Sequence, residues 1–551
     1  MGVCTKPPFG IRSRGLTAIF SRERDENPQT NMHLSNVLLR GKVISREETF
    51  REFISRLIGL ALTPSSAWAV TMPQREHANW MYFEQDDFFY YLKNAQNLAM
   101  GHGSTFNGLV ITNGYHPLWM LTLAAVIHLS RSVRFIPAFL AFSIWVATVV
   151  TFRLTHMLLK RGGVESLAAS ALSAYVAVYA EHVFCYGIEV TFAIPLMLAL
   201  LLLVENYTWW SAEGLNGLHR GLAIGLVAAA LVLSRIDTII FVGLVGLGVW
   251  LHPRLRRLVR LPQATGVSLG LLPVAGYFIV NMVFFKVWMP VSGIAKQLKI
   301  DHGFTLLAWH SFLSKSLSNL VNSVPIILAL TALPWLWKHL SPGLRTIVPA
   351  ALFFPFVYIT ILSWSSDWQL WGWYFYMLRP ALVVAFILLA SIDRVRTALS
   401  WRPLLTVLVL FSLVPIASIT WDQQQPEIVN AARALQQFSM THPGVYAMGD
   451  RSGAVGYLLS QPVVQTEGLV MDRDYLALIA QQVPLRDVLA RYGVSYYIGS
   501  ASPADVGCFE AIEPAQGGMH APHLRGEFCD QPVADWTFAG VRTVVFDVRR
   551  R

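Results

Sequence analysis

The chain has 551 residues, of which 54% are hydrophobic and only 14% charged, and its formal net charge is +10. An ordinary soluble domain carries about 25% charged residues, so this composition excludes a cytosolic enzyme, a disordered chain and a small disulfide-rich module. It indicates a polytopic membrane protein. The positive charge then belongs to cytoplasmic loops, and we predict no nucleic-acid partner. Four cysteines are too few for a disulfide framework or a metal cluster.

Membrane-spanning helices need about 20 apolar residues. Eleven candidate spans lie near 53–72, 134–155, 166–184, 189–205, 220–234, 237–252, 264–285, 319–337, 346–364, 378–393 and 403–421. Segment 116–130 is also apolar but short, and a twelfth span would break the alternation of loops described next. We interpret it as a helix at, or dipping into, the outer face. The alternative is a true span combined with a miscounted helix elsewhere.

Basic loops predict the orientation. The loop at 252–260 carries four arginines, and further basic residues lie at 338–345, at 393–402 and at Lys160-Arg161. Strict alternation of eleven spans puts all of them on one side, which the positive-inside bias makes the cytoplasm. The chain then begins inside and ends outside.

Three domains follow from this topology. They are a cytoplasmic tail at 1–50, a membrane domain at 51–421 with a long first outer loop at 73–133, and an outer domain at 422–551. The polar tail contains Met32, which is an alternative start.

The last 130 residues change character, because charges, Gly and Pro become frequent. Short β-branched and aromatic runs at 445–448, 496–498 and 543–546 predict strands, and a helical pattern covers 474–492. We expect a small α/β domain. In an oxidising outer compartment Cys508 and Cys529 predict a disulfide, whereas Cys4 and Cys185 have no evident partner.

The first outer loop contains a predicted amphipathic helix that opens with Asp86 and Asp87. Apolar residues recur with helical spacing from Phe88 to Ala99, and Gly101 is a natural stop. We expect this helix to lie on the membrane surface. The acidic pair either caps the helix or provides a general base or metal ligand at the membrane boundary. His102, Asn113 and His116 lie close by in sequence.

Cationic side chains on the predicted outer face are unexpected under the positive-inside bias. They are Lys286, Lys296, Lys299 and Arg379. An anionic substrate at the membrane surface, such as a lipid phosphate, would explain them. The alternative is binding of headgroups or snorkelling.

Charged residues also interrupt or flank the spans. Arg235 and Asp237 stand between two apolar runs, and Glu189 stands at the outer start of a span. A charge in mid-membrane costs about 2.5–3.5 kcal/mol on insertion scales, so these residues face protein or an outer turn. Either a structural salt bridge or a substrate site accounts for them. The turn-like string 449–453 has no phosphate-loop pattern, and the sequence has no Walker, dinucleotide, CxxC or HExxH motif.

An ordered set of motifs resembles bacterial members of the GT-C superfamily of glycosyltransferases. The set begins with DDxxYYL at Asp86–Leu92, GxGxTFNG from Gly101 and TNGYHPLW at Thr112–Trp119. It continues with GIE at Gly187–Glu189, RxD at Arg235–Asp237, MPVSGxAK at Met289–Lys296, WYF at Trp373–Phe375 and GDRSGAVGYL…EGLV from Gly449. The set covers most of residues 50–500 and is similar in plan to protein mannosyltransferases, oligosaccharyltransferases and aminoarabinose transferases.

The resemblance implies a GT-C fold of about eleven spans in a bacterial inner membrane, with a periplasmic α/β domain. It implies transfer of a sugar from a polyprenyl phosphate to a hydroxyl of a lipid-linked, glycan or protein acceptor, with inversion. Asp86 or Asp87 is then the base. We favour Asp86, since it matches the Asp of the Asp-Glu pair in the mannosyltransferases.

In the same resemblance, Lys296 and Arg379 neutralise the departing phosphate. The expected substrate-binding residues are Asn113, His116, Glu189, Arg235, Asp237 and Tyr374. No redox cofactor is implied. A divalent cation, Mg²⁺ or Mn²⁺, is left open because Asp86, Asp87 and Glu189 are hard oxygen ligands. The sugar and the acceptor cannot be read from the sequence.

Two other functions remain open at this point. A transporter or lipid flippase would explain the spans and the Arg235–Asp237 pair, but it would not need the acidic first loop or a 130-residue outer domain, and no inverted repeat is evident. A non-catalytic assembly subunit would keep the fold and tolerate loss of the acidic pair.

Overall fold

The computed structural model describes residues 80–206, 210, 213–253, 256, 259–301, 303–314, 317–399, 426–501 and 508–549. All of these belong to one compact unit. The predicted tail at 1–50 and the predicted spans at 53–72 and 403–421 lie outside the described residues.

Ten apolar helical segments occupy the membrane part of the described chain. Seven are long enough to cross a membrane: Val133–Arg161, Ser166–Phe184, Gly214–Ser234, Leu261–Phe285, Asn319–His339, Pro342–Ser365 and Gly372–Ala390. Three are shorter: Pro117–Ser130, Val190–Glu205 and Ile236–Leu251. They coincide with the nine predicted spans inside the described residues and with the extra segment 116–130. The prediction of a polytopic α-helical protein is therefore confirmed.

In chain order the α-helices of this part are α1 (Asp86–Ala99), α2 (Pro117–Ser130), α3 (Ile136–Arg161), α4 (Ser166–Phe184), α5 (Val190–Glu205), α6 (Gly214–Ser234), α7 (Ile239–Leu251), α8 (Leu261–Val280), α9 (Val291–Ala295), α10 (Leu307–Ser314), α11 (Leu317–Leu336), α12 (Pro342–Ser365), α13 (Leu378–Ala390) and α14 (Asp393–Leu399). Short 3-10 turns at Trp80–Phe83, Val133–Phe135, Ile236–Thr238, Trp337–His339 and Gly372–Met377, and a π turn at Asn281–Phe285, adjoin them.

Local sequence explains where these helices begin and how closely they pack. The helix α12 begins at Pro342, whose missing N–H costs nothing at a first turn, and the Ser341 hydroxyl accepts from Leu344 N. Helices α6 and α8 approach each other closely through glycines on both. A Cβ at Gly225 or Gly270 would overlap the backbone of the facing helix, which is the small-residue packing typical of membrane helices.

The C-terminal residues form the expected α/β domain. Its elements are α15 (Pro426–Thr441), β1 (Val445–Met448), α16 (Ser452–Leu458), β2 (Val463–Gln465), α17 (Arg473–Ala480), α18 (Leu485–Arg491), β3 (Val494–Ala501), β4 (Phe509–Glu513), β5 (Leu524–Phe528), β6 (Ala534–Phe538) and β7 (Val541–Asp547). The main sheet has the order β2-β1-β3-β7-β6. Strand β1 is parallel to both of its neighbours, β2 and β3. Strand β7 is antiparallel to both of its neighbours, β3 and β6. The hairpin β4–β5 forms a separate two-stranded sheet.

Two details of this domain answer the sequence predictions. Cys508 and Cys529 form the predicted disulfide beside the β4–β5 hairpin, and Cys185 is a buried free thiol. The helical pattern at 474–492 is two helices, because Pro484 stands at the start of the second and ends the first.

The C-terminal domain packs on α1 and on the loop that follows α12. The Asp86 carboxylate accepts hydrogen bonds from Gly453 N at 2.8 Å and Ala454 N at 2.9 Å, at the first turn of α16. Gly114 packs against the C-terminal domain so closely that a Cβ there would overlap the carbonyl of Leu469. The Asp367 carboxylate accepts from His520 N at 2.8 Å. These contacts bring residues of both parts to one site.

Candidate active site

The helix α1 holds the acidic pair, as the sequence predicted, but its setting corrects one expectation. Phe88, Phe89 and Leu92 are completely buried by other protein atoms. The helix packs between α2 and α16, so its aromatic face belongs to the core of the protein and does not lie on a membrane surface. The reason is that the C-terminal domain covers this face.

Asp86 caps a helix, but the helix is α16 and not its own. Both of its carboxylate oxygens accept backbone amides there, from Gly453 and Ala454. At the start of α1 itself, the N-cap position is occupied by Gln85. Burial raises the pKa of Asp86 to about 7, although the two amide hydrogen bonds work against this shift. The carboxylate of Asp86 is therefore committed to holding the two parts of the protein together.

Asp87 lies one residue further on and turns into a cavity. We call this the central cavity. It measures about 60 Å³, and its walls include Asp87, His116, Glu189, Arg235 and Lys296. Burial raises the pKa of Asp87, and the Lys296 ammonium partly offsets the rise. A raised pKa makes this carboxylate a stronger base than an exposed aspartate.

Lys296 follows the short helix α9, and its neighbours are aromatic. Its Nζ donates to the Tyr374 hydroxyl at 2.7 Å and lies 5.9 Å from the centroid of the Trp368 ring. Lys286 is different: it is exposed and donates to Val283 O at 2.8 Å. Lys299 donates to the carbonyls of Gly303 and Trp364.

Arg379 does not join this group. Its guanidinium donates to Phe375 O at 2.7 Å and to Tyr179 O at 3.0 Å, and it lies 3.7 Å from the centroid of the Tyr179 ring. Within the described chain, Arg379 lies outside the walls of the central cavity and of the two cavities that adjoin it. The sequence predicted that Arg379 shares a face of the bundle with Lys296, but it could not tell that the Arg379 side chain points into the helix packing.

Arg235, Glu189 and Asp237 form one ion network. The Arg235 guanidinium is 2.5 Å from Glu189 and 3.1 Å from Asp237, and only 3% of the arginine side chain is exposed. The alternative of a structural salt bridge is thus partly right, with Glu189 as a second partner. Tyrosines complete the hydrogen bonds: the Tyr91 hydroxyl donates to Glu189, and those of Tyr358 and Tyr376 donate to Asp237.

Asn113 and His116 support the site from the first loop. The Asn113 amide donates to Asn281 and to Met289 O and accepts from Val291 N, so it fixes the segment that leads to Lys296. His116 accepts from Ile236 N through Nδ1, and burial lowers its pKa. His102 lies on an exposed turn.

Two further cavities meet the central one. The apolar cavity, about 270 Å³, runs among residues of α7, α12 and the α8–α9 connection, such as Ile240, Trp288 and Ile361. The polar cavity, about 210 Å³, lies between the tryptophan-rich segment 368–373 and the C-terminal domain. Lys296 and Tyr374 line all three cavities, and Asp87 lines both the central and the polar one.

The sequence did not identify several residues of the polar cavity. Its walls include Trp368, Trp371, Glu427, Asp450, Arg451, Glu467 and Gln516. The signal was available in part, since the motif from Gly449 belongs to the resemblance, although the string 449–453 was interpreted only as a turn. Nothing local in the sequence shows that these segments meet, since the outermost two residues, Trp368 and Gln516, are 148 residues apart.

Two of the three acids that could hold a divalent cation already have other partners. The Asp86 oxygens accept backbone amides, and those of Glu189 face Arg235 and Tyr91. In the described part of the chain, the one close group of three ligating side chains is Cys508, Glu527 and Cys529, of which the two cysteines form a disulfide. We therefore assign no step to a metal.

Comparison with known proteins identifies the fold. The chain is similar to ArnT from Cupriavidus metallidurans bound to undecaprenyl phosphate, with a TM-score of 0.54 and 12% identity over 89% of this chain and 97% of that one. This likeness shows that the chain shares the fold of that protein.

Two other solved structures are also similar. They are the apo oligosaccharyltransferase of Archaeoglobus fulgidus, with a TM-score of 0.48 and 11% identity over 88% of this chain and 75% of that one, and the arabinofuranosyltransferase AftD from Mycobacteria, with a TM-score of 0.45 and 12% identity over 89% and 39%. No protein-family model and no curated protein matches the sequence.

Proposed function

We propose that the protein is a glycosyltransferase that moves a sugar from a polyprenyl phosphate to a hydroxyl acceptor. One observation carries the proposal. A half-buried carboxylate, Asp87, and a half-buried ammonium, Lys296, line a single cavity at the point where an apolar and a polar cavity meet. A base and a phosphate-binding cation at such a junction are what this transfer requires.

The apolar cavity suits the donor lipid. Its walls are mainly aliphatic and aromatic, and Lys296, His116 and Arg235 stand at its inner end. A prenyl chain would lie along the apolar walls with its phosphate at Lys296, where a charge-assisted hydrogen bond replaces water. The similar structure from Cupriavidus metallidurans holds undecaprenyl phosphate, a lipid of this kind. Arg235 already faces two carboxylates, so Lys296 is the main phosphate ligand.

The reaction is a single displacement. The acceptor hydroxyl gives its proton to the Asp87 carboxylate as its oxygen bonds to the anomeric carbon. The bond from that carbon to the phosphate oxygen breaks on the opposite face, and its electron pair leaves with the polyprenyl phosphate. Lys296 stabilises the charge that develops on this oxygen. Asp87 then releases its proton to water, and the anomeric configuration is inverted.

Asp87 is the base in this proposal, and Asp86 is a positioning residue. Both Asp86 oxygens accept backbone amides from α16, so one lone pair of each oxygen is already used and the carboxylate is held against that helix. Asp87 lines the two cavities in which donor and acceptor would meet. This assignment reverses the preference drawn from the mannosyltransferase resemblance.

The decisive experiment supplies purified protein with a radiolabelled polyprenyl phosphate sugar. A transferase releases polyprenyl phosphate and labels an acceptor fraction, and Asp87→Asn abolishes both. A flippase moves the same lipid across a vesicle without cleaving it, and a non-catalytic subunit does neither. Intact donor after incubation with native membranes as the acceptor source would contradict the proposal.

We also propose that the site faces the outside of a bacterial inner membrane, with the C-terminal domain in the periplasm. The basic loop at 252–260 supports this orientation through the positive-inside bias. Reporter fusions after Arg551 and within 252–260 should report opposite compartments. Reports from the same compartment would refute the proposed topology.

A further inference from the structure

The polar cavity has a composition that distinguishes among acceptors, and the inference drawn from it rests on the proposed function. One wall is the segment 368–373, in which Trp371 and Trp373 stack with ring centroids 5.9 Å apart and planes inclined by 8°. Trp368 completes this wall. The opposite wall comes from the C-terminal domain and α1.

Carboxylates dominate the second wall. They are Asp86, Asp87, Glu427, Asp450 and Glu467. The cationic side chains of the cavity are Lys296, which the donor phosphate would occupy, and Arg451, whose Nε lies 3.7 Å from the Asp450 carboxylate. An acceptor that carries phosphate or carboxylate would face these carboxylates, which should weaken its binding by about 10-fold or more.

Two buried polar atoms of the cavity walls are unsatisfied in the structure. Glu467 is 3% exposed, and its Oε2 accepts from Gln465 while its Oε1 has no hydrogen-bond partner. Trp368 is 5% exposed, and its Nε1–H has no partner either. Buried polar groups in proteins are nearly always hydrogen-bonded, so each such atom calls for a ligand or a water. A carboxyl oxygen and an indole donor together match a ligand that both donates and accepts.

From the aromatic wall, the excess of carboxylates and these two atoms, we propose that the acceptor is an uncharged carbohydrate. One pyranose ring lies against the Trp371–Trp373 wall. Its hydroxyls accept from Trp368 Nε1 and bond to Glu467 Oε1, and the hydroxyl that takes the new sugar points to Asp87. In this pose the apolar face of the sugar ring contacts the tryptophan wall, and its hydroxyls point towards the acidic wall. Phosphorylated glycans and anionic lipid headgroups are disfavoured as acceptors.

The test measures binding of the acceptor without any donor. Purified full-length protein is titrated with neutral oligosaccharides of glucose, mannose and galactose and with their 6-phosphates, and tryptophan fluorescence is recorded. We expect saturable quenching by at least one neutral oligosaccharide, and binding of its phosphate that is weaker by about 10-fold or more. Tighter binding of the phosphate, or no binding by any neutral oligosaccharide, would overturn the inference.

Variants test the named atoms. Trp368→Phe keeps a ring but removes the Nε1–H, so we expect weakening by about 3- to 10-fold, as for one neutral hydrogen bond. Glu467→Leu should weaken binding at least as much, whereas Glu467→Gln retains a polar group in place and should bind within about 3-fold of wild type. The matched control for Trp368→Phe is Trp335→Phe, at an exposed position outside the three cavities. The matched control for the Glu467 variants is Asp474→Asn, at an exposed position in the C-terminal domain.

Binding of undecaprenyl phosphate, measured on the same samples by thermal shift, separates the two proposals. If the lipid stabilises wild type more than Lys296→Ala but no neutral oligosaccharide binds, the carbohydrate inference alone fails. If neither ligand binds, the proposed transferase function fails with it. If Trp368→Phe and Trp335→Phe bind the oligosaccharide equally, the ligand does not use the polar cavity.

Discussion

The two adjacent aspartates should respond differently to the same conservative change. Asp87→Asn keeps the size of the side chain and lines the same cavities, but an amide cannot accept the proton of an acceptor hydroxyl. General base catalysis contributes about 10²–10⁴-fold, which corresponds to a barrier higher by about 2.7–5.4 kcal/mol. We therefore expect loss of at least 99% of transfer at an unchanged melting temperature.

Asp86→Asn should act on assembly instead. The asparagine keeps one oxygen for either Gly453 N or Ala454 N and presents an NH₂ group to the other donor. A hydrogen bond to a charged group contributes about 1.5–3 kcal/mol. The C-terminal domain should then hold less tightly to α1, with a lower melting temperature. Residual transfer should remain, because the base is intact.

The assay pairs turnover with stability on one preparation. Release of polyprenyl phosphate from a labelled donor reports turnover, and thermal unfolding of the detergent-solubilised protein reports stability. Asp474→Asn, an exposed aspartate in the C-terminal domain, serves as the control for loss of one negative charge. Our assignment is refuted if Asp86→Asn abolishes transfer without loss of stability while Asp87→Asn retains most of it.

Three further changes test other parts of the site. Lys296→Ala should weaken use of the donor by about 10- to 150-fold, which is the contribution of one charge-assisted hydrogen bond. Lys286→Ala, at an exposed position, should have little effect. Equal losses would argue for general attraction of lipid headgroups. Transfer should fall at acid pH as Asp87 protonates. Lys296→Met removes the charge that lowers the pKa of Asp87, so it should move the acid side of the pH–rate profile to higher pH. An unmoved profile would exclude Asp87 as the titrating group. Gly114→Ala places a Cβ in the backbone of the C-terminal domain and should lower the melting temperature, whereas Gly276→Ala, with open space around it, should not.

Much of the fold could be predicted from sequence because a membrane helix is determined by residues that are adjacent in the chain. A run such as 346–364 needs only its own apolar residues to define a span, and the structure has a helix at Pro342–Ser365. Strands at 445–448 and 543–546 were similarly visible from β-branched and aromatic residues. The disulfide prediction needed only two cysteines within one predicted outer domain.

The site was predicted less completely, because the direction of a side chain depends on its neighbours in space. Lys296 and Arg379 looked alike in sequence, as cations on one face of the bundle. In the structure, Lys296 donates to the Tyr374 hydroxyl in the wall of the cavities, whereas Arg379 donates to the carbonyls of Phe375 and Tyr179. Likewise, a helix cap was a sound interpretation of Asp86, but the capped helix lies more than 360 residues further along the chain.

The contact between Asp86 and α16 explains why a catalytic pair would be built from adjacent acids with separate roles. Successive residues of a helix point about 100° apart, so two neighbours can contact different parts of a site. In α1 the Asp86 oxygens bind the C-terminal domain, whereas Asp87 lines both the central and the polar cavity. Docking of that domain therefore sets the rotation of α1, and the rotation sets the position of Asp87. The same domain supplies Glu467 to the polar cavity, so the base and the proposed acceptor wall are positioned by one contact.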